Sequence, residues 1–200
     1  MTAAPAPDWA FDGVRVWRLS HRQGTHGEAA VRALLGKTFR LPADAVPLAR
    51  DARGRPQLHA PLAGHDCNWS HSGQRLLLAL GEGLRLGIDV ELIRPRPRVA
   101  ALAERYFHPD EAAWLRAQPD DARLPAFVRL WCAKEAVLKA HGEGIAFGLE
   151  KLRFGEHGGR LRLLECDPAL GMPADWHLRE WAPEPGYRAA LAWRAAIIAP

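Results

Sequence analysis

Three carboxylates and two lysines are spaced so that a divalent cation and a phosphate could meet among them. In Leu86-Gly-Ile-Asp-Val-Glu-Leu92, the apolar Leu86, Ile88, Val90 and Leu92 alternate with Gly87, Asp89 and Glu91. A strand places both acids on one face, with Cα atoms roughly 7 Å apart. Such a pair can share a hard cation whose other positions are filled by water and phosphate oxygens. The same alternation also describes a strand with a solvated acidic face. Farther along, Phe127, Leu130, Trp131, Val137 and Leu138 form one stripe of a helix, with Lys134 near its middle. A cation there either snorkels along the apolar surface or meets an anion. Glu135 and Lys139 stand at i and i+4 on the edge of that stripe. As a surface ion pair they would contribute only about 0.3–0.5 kcal/mol, and Lys134 would stay unexplained. One site accounts for all three, with Glu135 as a third metal carboxylate and the two lysines neutralising phosphate charge.

Other polar residues admit two readings. Ser70-His71-Ser72 fits a phosphate-binding loop or a turn with satisfied hydroxyls. No G-x-S-x-G elbow accompanies it, so a nucleophilic serine is disfavoured. Arg55 stands at the tip of a turn over residues 51–56, facing phosphate or solvent. Glu111 begins a helix, where the dipole favours an acid in any case.

These residues need elements to position them. Apolar spacing predicts helices over 27–40, 99–106, 109–117 and 122–141, the last ended by Gly142 and Gly144. Residues 75–80 and 84–92 read as a β-hairpin around Gly81-Glu-Gly83, preceded by a loop that ends at Asn68–Ser72. Strands are predicted near 151–154, 160–165, 176–181 and 187–198. Each half offers helix and antiparallel strands, so the fold class is α+β, with halves 1–93 and 94–200 divided at Arg94-Pro-Arg-Pro97.

Composition sets the outer bounds. Two hundred residues, 48% hydrophobic and 25% charged, can bury a core without disulfide or metal staples. The eight tryptophans are expected at the edges of a core or pocket, where each N–H finds a partner. A net charge of +4 favours anionic partners without choosing among them. Cys67, Cys132 and Cys166 match no zinc spacing and read as reduced thiols of a cytoplasmic protein. No apolar run spans a bilayer, and no nucleic-acid module is visible. The first eight residues read as loose and carry no secretory signal.

The pieces also occur in a familiar order. Gly54-Arg-Pro56, Asn68-Trp-Ser-His-Ser72, Gly87-Ile-Asp-Val-Glu91, Arg105-Tyr-Phe-His-Pro-Asp-Glu111 and Trp131-Cys-Ala-Lys-Glu-Ala-Val-Leu-Lys139 resemble the 4'-phosphopantetheinyl transferases of the surfactin-synthetase-activating type. The resemblance runs from about residue 27 to 148, with Gly186–Leu191 similar to the family's closing strand. It implies two similar α/β halves related by pseudo-twofold symmetry in one monomeric chain, with coenzyme A and Mg²⁺ (or Mn²⁺) between them. It implies Asp89, Glu91 and Glu135 as metal ligands, and Glu135, Lys139 and Glu111 as catalytic residues. Arg55, Ser70, His71, Asp89, Lys134 and Lys139 are implied as coenzyme A contacts. The basic residues expected near the N-terminus for the 3'-phosphate do not align, and Arg22 and Arg32 are the candidates. The implied partner is an apo acyl carrier protein or a peptidyl or polyketide carrier domain. Two other classes of function are weighed against it: a coenzyme A- or nucleotide-binding regulatory module without transferase activity, and a basic nucleic-acid binder.

Overall fold

The computed structural model describes residues 4–196. Strands β1 (Trp9–Phe11) and β2 (Val14–Ser20) lead into helix α1 (Glu28–Phe39), then the short β3 (Leu48–Arg50) and β4 (Pro56–Leu58), then β5 (His65–Ser72) and β6 (Arg75–Glu82). The second series is β7 (Leu84–Leu92), helices α2 (Val99–Tyr106), α3 (Pro109–Arg116) and α4 (Asp120–His141), then β8 (Leu152–His157), β9 (Arg160–Cys166), β10 (His177–Trp181) and β11 (Tyr187–Ala195). The protein is α+β, and the predicted helices stand within one or two residues of their expected bounds. The closing strand was expected to run to Ile198; β11 is described to Ala195, and Ile197 and Ile198 lie outside the described residues.

One sheet has the order β1-β2-β6-β5 and a second the order β10-β11-β7, while β3-β4 and β8-β9 are separate hairpins. The series β2, α1, β3-β4, β5, β6 therefore has the same order as β7, α4, β8-β9, β10, β11. In both, the first strand pairs with the last and the last with the one before it. No helix among the described residues is long and apolar enough to cross a membrane.

Three local expectations are corrected. β6 and β7 do not form a hairpin: β6 pairs with β2 and β5, whereas β7 pairs with β11. The chain turns at Gly83 from one sheet into another packed on it. Leu86, Ile88 and Val90 of β7 then bury against Val14, Val16, Leu77 and Ala79. Second, Asn68–Ser72 belongs to strand β5 and not to a loop. Its polar side chains are buried because they complete the free edge of β7. Asp66 Oδ2 accepts from Leu86 N–H (2.8 Å), Asn68 Oδ1 from Ile88 N–H (3.0 Å) and Ser72 Oγ from Leu92 N–H (3.1 Å). Backbone donors inside a fold need such partners, and a period-two row of short polar residues supplies them across the seam. Third, residues 5–8 are anchored: Trp17 Nε1 donates to Pro5 O, and Asp8 exchanges bonds with Val16 O and Arg18 N–H. Residues 1–3 lie outside the described residues.

The other face of the β7–β11 sheet carries α4. A Cβ placed on Gly87 would lie 2.2 Å from Ala136 O and 2.4 Å from Ala140 N, so the helix rests on the bare backbone of β7. Gly87→Ala must push α4 away from the strand. It should destabilise the protein by about 1–3 kcal/mol and impair every function that needs both elements. Urea denaturation measures the first effect, and unchanged stability would mean that α4 yields easily.

Candidate functional site

Gly87, Asp89 and Glu91 face α4, and the helix returns Glu135 and Lys139 to them. Lys139 Nζ donates to Asp89 Oδ1 (2.7 Å), Ser70 Oγ (3.0 Å) and Ile88 O (3.3 Å). Ser70 Oγ donates in turn to Asp89 Oδ1 at 2.8 Å. Asp89, Glu135 and Ser70 are buried, and Lys139 is partly exposed. Lys139 thus pairs with Asp89 on β7 and not with Glu135 on its own helix.

Asp89 Oδ2 and Glu135 Oε1 are both buried without a hydrogen-bond partner. Burial pushes the Glu135 carboxyl up to about 7, and the negative charges of Asp89 and Glu91 add to the rise against the pull of Lys139. Unpaired buried carboxylate oxygens are costly unless a cation meets them. The donors are all oxygen, which suits Mg²⁺ or Mn²⁺ better than zinc. On these grounds the residues fit a hard divalent cation. Glu91 shares the face, but its Oε2 accepts from Ser72 Oγ and Arg96 Nη2, both at 3.0 Å. Burial, then the Asp89 charge, also raises the Glu91 carboxyl. Among the described residues, no three His, Cys, Asp or Glu side chains already converge as a metal cage.

His71 follows Ser70 on β5. His71 stacks on the buried His21 with ring centroids 4.0 Å apart. Burial and the positive surroundings of His21, Lys139 and His26 hold the His71 imidazole below its usual range. Arg22 is exposed next to His21. Arg32, the other candidate for a terminal phosphate, is engaged elsewhere. It bonds Glu28 Oε1 within α1 (3.0 Å) and the carbonyls of Val46 (3.0 Å) and Leu48 (2.6 Å).

Three further expectations fail on geometry. Lys134 does not face a phosphate. It is fully buried, 2.6 Å from Glu111 Oε2, and donates to Leu149 O (2.8 Å) and Leu152 O (2.5 Å). The anion that explains a lysine in an apolar stripe is therefore a protein carboxylate. Glu111 is correspondingly not a catalytic acid: it also accepts from His108 N–H (3.0 Å) and Phe154 N–H (2.7 Å). The pair ties α3 and α4 to β8. Arg55 is not at a solvent-facing tip either. It is 5% exposed and forms a bidentate pair with Asp66 (2.9 and 2.5 Å).

Sequence reasoning missed His21, Asp66 and Arg96 as neighbours of the site, and gave Asn68 and Ser72 only as members of the Asn68–Ser72 segment. The alternating Asp66, Asn68, Ser70, Ser72 was the available signal for the β5 row. Nothing local marked His21 or Arg96. The tryptophan expectation holds for Trp17, Trp69 and Trp176, whose Nε1 groups donate to carbonyls. Trp181 Nε1 is buried without a partner.

Comparison with known proteins adds an independent line. Residues 85–192 match the family described as the 4'-phosphopantetheinyl transferase superfamily, a span that begins in β7 and includes Asp89, Glu91, Glu135 and Lys139. The chain is 35% identical over 174 residues to the 4'-phosphopantetheinyl transferase HetI of Nostoc sp., covering 86% of this chain and 70% of that protein. It is 31% identical over 176 residues to the 4'-phosphopantetheinyl transferase psf-1 of Bacillus pumilus, covering 86% and 71%. To the 4'-phosphopantetheinyl transferase Sfp of Bacillus subtilis it is 25% identical over 178 residues, covering 87% and 76%.

Proposed function

We infer that this chain, which belongs to the 4'-phosphopantetheinyl transferase superfamily, moves the 4'-phosphopantetheine arm of coenzyme A onto a serine of an apo acyl, peptidyl or polyketide carrier. The observation that supports this most directly is the pair of unpartnered buried oxygens, Asp89 Oδ2 and Glu135 Oε1, beside the Lys139 ammonium. We take the chain to act as a cytoplasmic monomer with its site between two halves related by a pseudo-twofold axis.

In this reading the serine Oγ of the carrier attacks the β-phosphorus of coenzyme A. A new P–O bond forms, the bond to the bridging oxygen breaks, and 3',5'-ADP leaves with the electron pair. Asp89 and Glu135, with Glu91 after release from Arg96, would hold Mg²⁺, which when bound stabilises charge on the phosphate oxygens. Glu135, or a water that it orients, takes the serine proton. Lys139, anchored by Asp89 and Ser70, offsets charge on the departing phosphate. His71 and Arg22 face the nucleotide's phosphates, and an arriving anion would favour the His71 cation that its neighbours now oppose. Positioning and electrostatics do most of the work in such transfers.

The deciding test mixes the protein with apo-carriers, coenzyme A and Mg²⁺, and weighs the carriers by mass spectrometry. Gain of one phosphopantetheine per carrier is expected, and no gain on any carrier would reject the reading. A pH dependence also follows. Glu135 binds its proton more tightly folded (about 7) than unfolded (4.5), so metal-free protein loses stability as pH rises through that window. Mg²⁺ should restore the loss, because it favours the ionised carboxylate. Urea midpoints at pH 5 and 8, with EDTA or Mg²⁺, check this. Glu135→Gln should flatten the metal-free slope.

A further inference from the structure

We propose that the buried Arg55–Asp66 pair is a positioning device that sets the spacing of β7 and α4, and so the geometry of the acids and Lys139. The inference rests on the transferase reading above and assigns Arg55 a role other than contact with coenzyme A.

The geometry is specific. Arg55 comes from the turn that precedes β4, outside both elements it holds. Its Nε donates to Lys139 O on α4 (3.1 Å), and its Nη2 donates to Leu86 O on β7 (3.0 Å). Nη1 donates to Pro56 O (3.1 Å), and both terminal nitrogens grip Asp66. Asp66 Oδ2 then accepts from Leu86 N–H, so both backbone polar groups of Leu86 are held by this one pair. Leu86 lies three residues before Asp89. Lys139 is the residue whose ammonium meets Asp89.

One guanidinium therefore bonds the main chain of both elements at the point where their functional side chains converge. The lock works with the Gly87 contact, where α4 already touches β7 without a side chain between them. Gly87 limits how near the helix can come, and Arg55 limits how far it can go. A lysine cannot reproduce the arrangement, because a single ammonium lacks the planar fork that reaches several fixed acceptors at once. Stability alone is a weak account of such a buried pair, since desolvating two charges offsets most of their attraction. Partners that orient ligating groups characteristically change metal affinity or activity about 10- to 100-fold when removed.

The test uses the full chain. Arg55→Met combined with Asp66→Asn removes both charges, leaves no lone buried ion and keeps an acceptor for Leu86 N–H. Arg55→Lys is the second variant and carries the same comparison if the double variant does not fold. On protein shown folded by circular dichroism, Mn²⁺ affinity is read by electron paramagnetic resonance. Metal-free coenzyme A affinity is read by calorimetry, and kcat from carrier modification. Expected are a Mn²⁺ Kd raised and a kcat lowered, each about 10- to 100-fold, with coenzyme A affinity unchanged. Folded variants with wild-type Mn²⁺ affinity and kcat would reduce the pair to a stabilising clasp and overturn the proposal. Lost coenzyme A affinity with retained Mn²⁺ affinity would overturn it too, by making Arg55 a ligand contact. A wild-type protein that binds Mn²⁺ but modifies no carrier would reject the transferase reading alone, leaving the Mn²⁺ comparison to judge the strut. A wild-type protein that binds no Mn²⁺ overturns both.

Discussion

Glu135→Gln should lower carrier modification by about 10²–10⁴-fold, the range for losing a general base, while the circular dichroism spectrum stays that of the wild type. The substitution keeps shape and polarity and removes one charge. Glu135 Oε1 has no hydrogen-bond donor in the fold, so no structural bond to that oxygen is lost. Removing the charge also relieves the repulsion from Asp89 and Glu91 that lifts the Glu135 carboxyl. Metal-free Glu135→Gln should therefore be more stable than wild type at pH 8, where the wild-type acid must ionise. Higher stability together with lost Mn²⁺ affinity and lost transfer is a signature that a purely structural acid would not give. Full activity in this variant would remove Glu135 from the site.

Lys134→Met should behave in the opposite way, losing about 3–5 kcal/mol of stability because Glu111 is left buried without its partner. Lys134 and Glu111 are both essentially inaccessible. Burial pushes the Glu111 carboxyl up and the Lys134 ammonium down, and each is partly restored by the other. The double variant Lys134→Met with Glu111→Gln should recover part of the stability, since no lone charge stays buried and the Gln carbonyl keeps an acceptor for one of the two N–H groups that Glu111 serves. Urea denaturation of the two single variants and the double closes the cycle. Coenzyme A affinity of the folded protein should stay near wild type throughout. A Lys134→Met protein of normal stability with weakened coenzyme A affinity would instead return Lys134 to the phosphate.

The two neighbours Lys134 and Glu135 show how far the chain could be read without its fold. Both lie in the segment that resembles the family, and both were assigned to the site. Helical spacing correctly made Lys134 anomalous and in need of an anion. It could not say whether that anion was a phosphate or Glu111, because Glu111 reaches it only when α3 packs beside α4. Adjacent helical residues point about 100° apart, so one can face a sheet while the other faces a different helix. Glu135 faces the acids of β7; Lys134 faces the core around Phe107 and Phe154.

Strand β5 gives the converse case. Its polar residues read as a loop because polarity is ordinarily a sign of solvent. They are buried, and what they serve is the unpaired edge of β7, a demand that arises only once the two sheets meet. Arg55 reads as a turn tip facing phosphate or solvent for the same reason, since a local turn does not reveal what covers it.

By itself, the sequence determined the α+β class, the main helices, the two carboxylates on one face of β7 and the i, i+4 relation of Glu135 to Lys139. These follow from backbone periodicity and local turn chemistry, which act over a few residues. Only the tertiary structure decided that β7 pairs with β11, that Asp89 and Glu135 each keep a buried oxygen without a partner, and that Lys134, Glu111, Arg32 and Arg55 are held within the protein. Those outcomes depend on which partners reach a buried group first, and burial makes a charge choose the nearest opposite charge or carbonyl whatever its place in the chain.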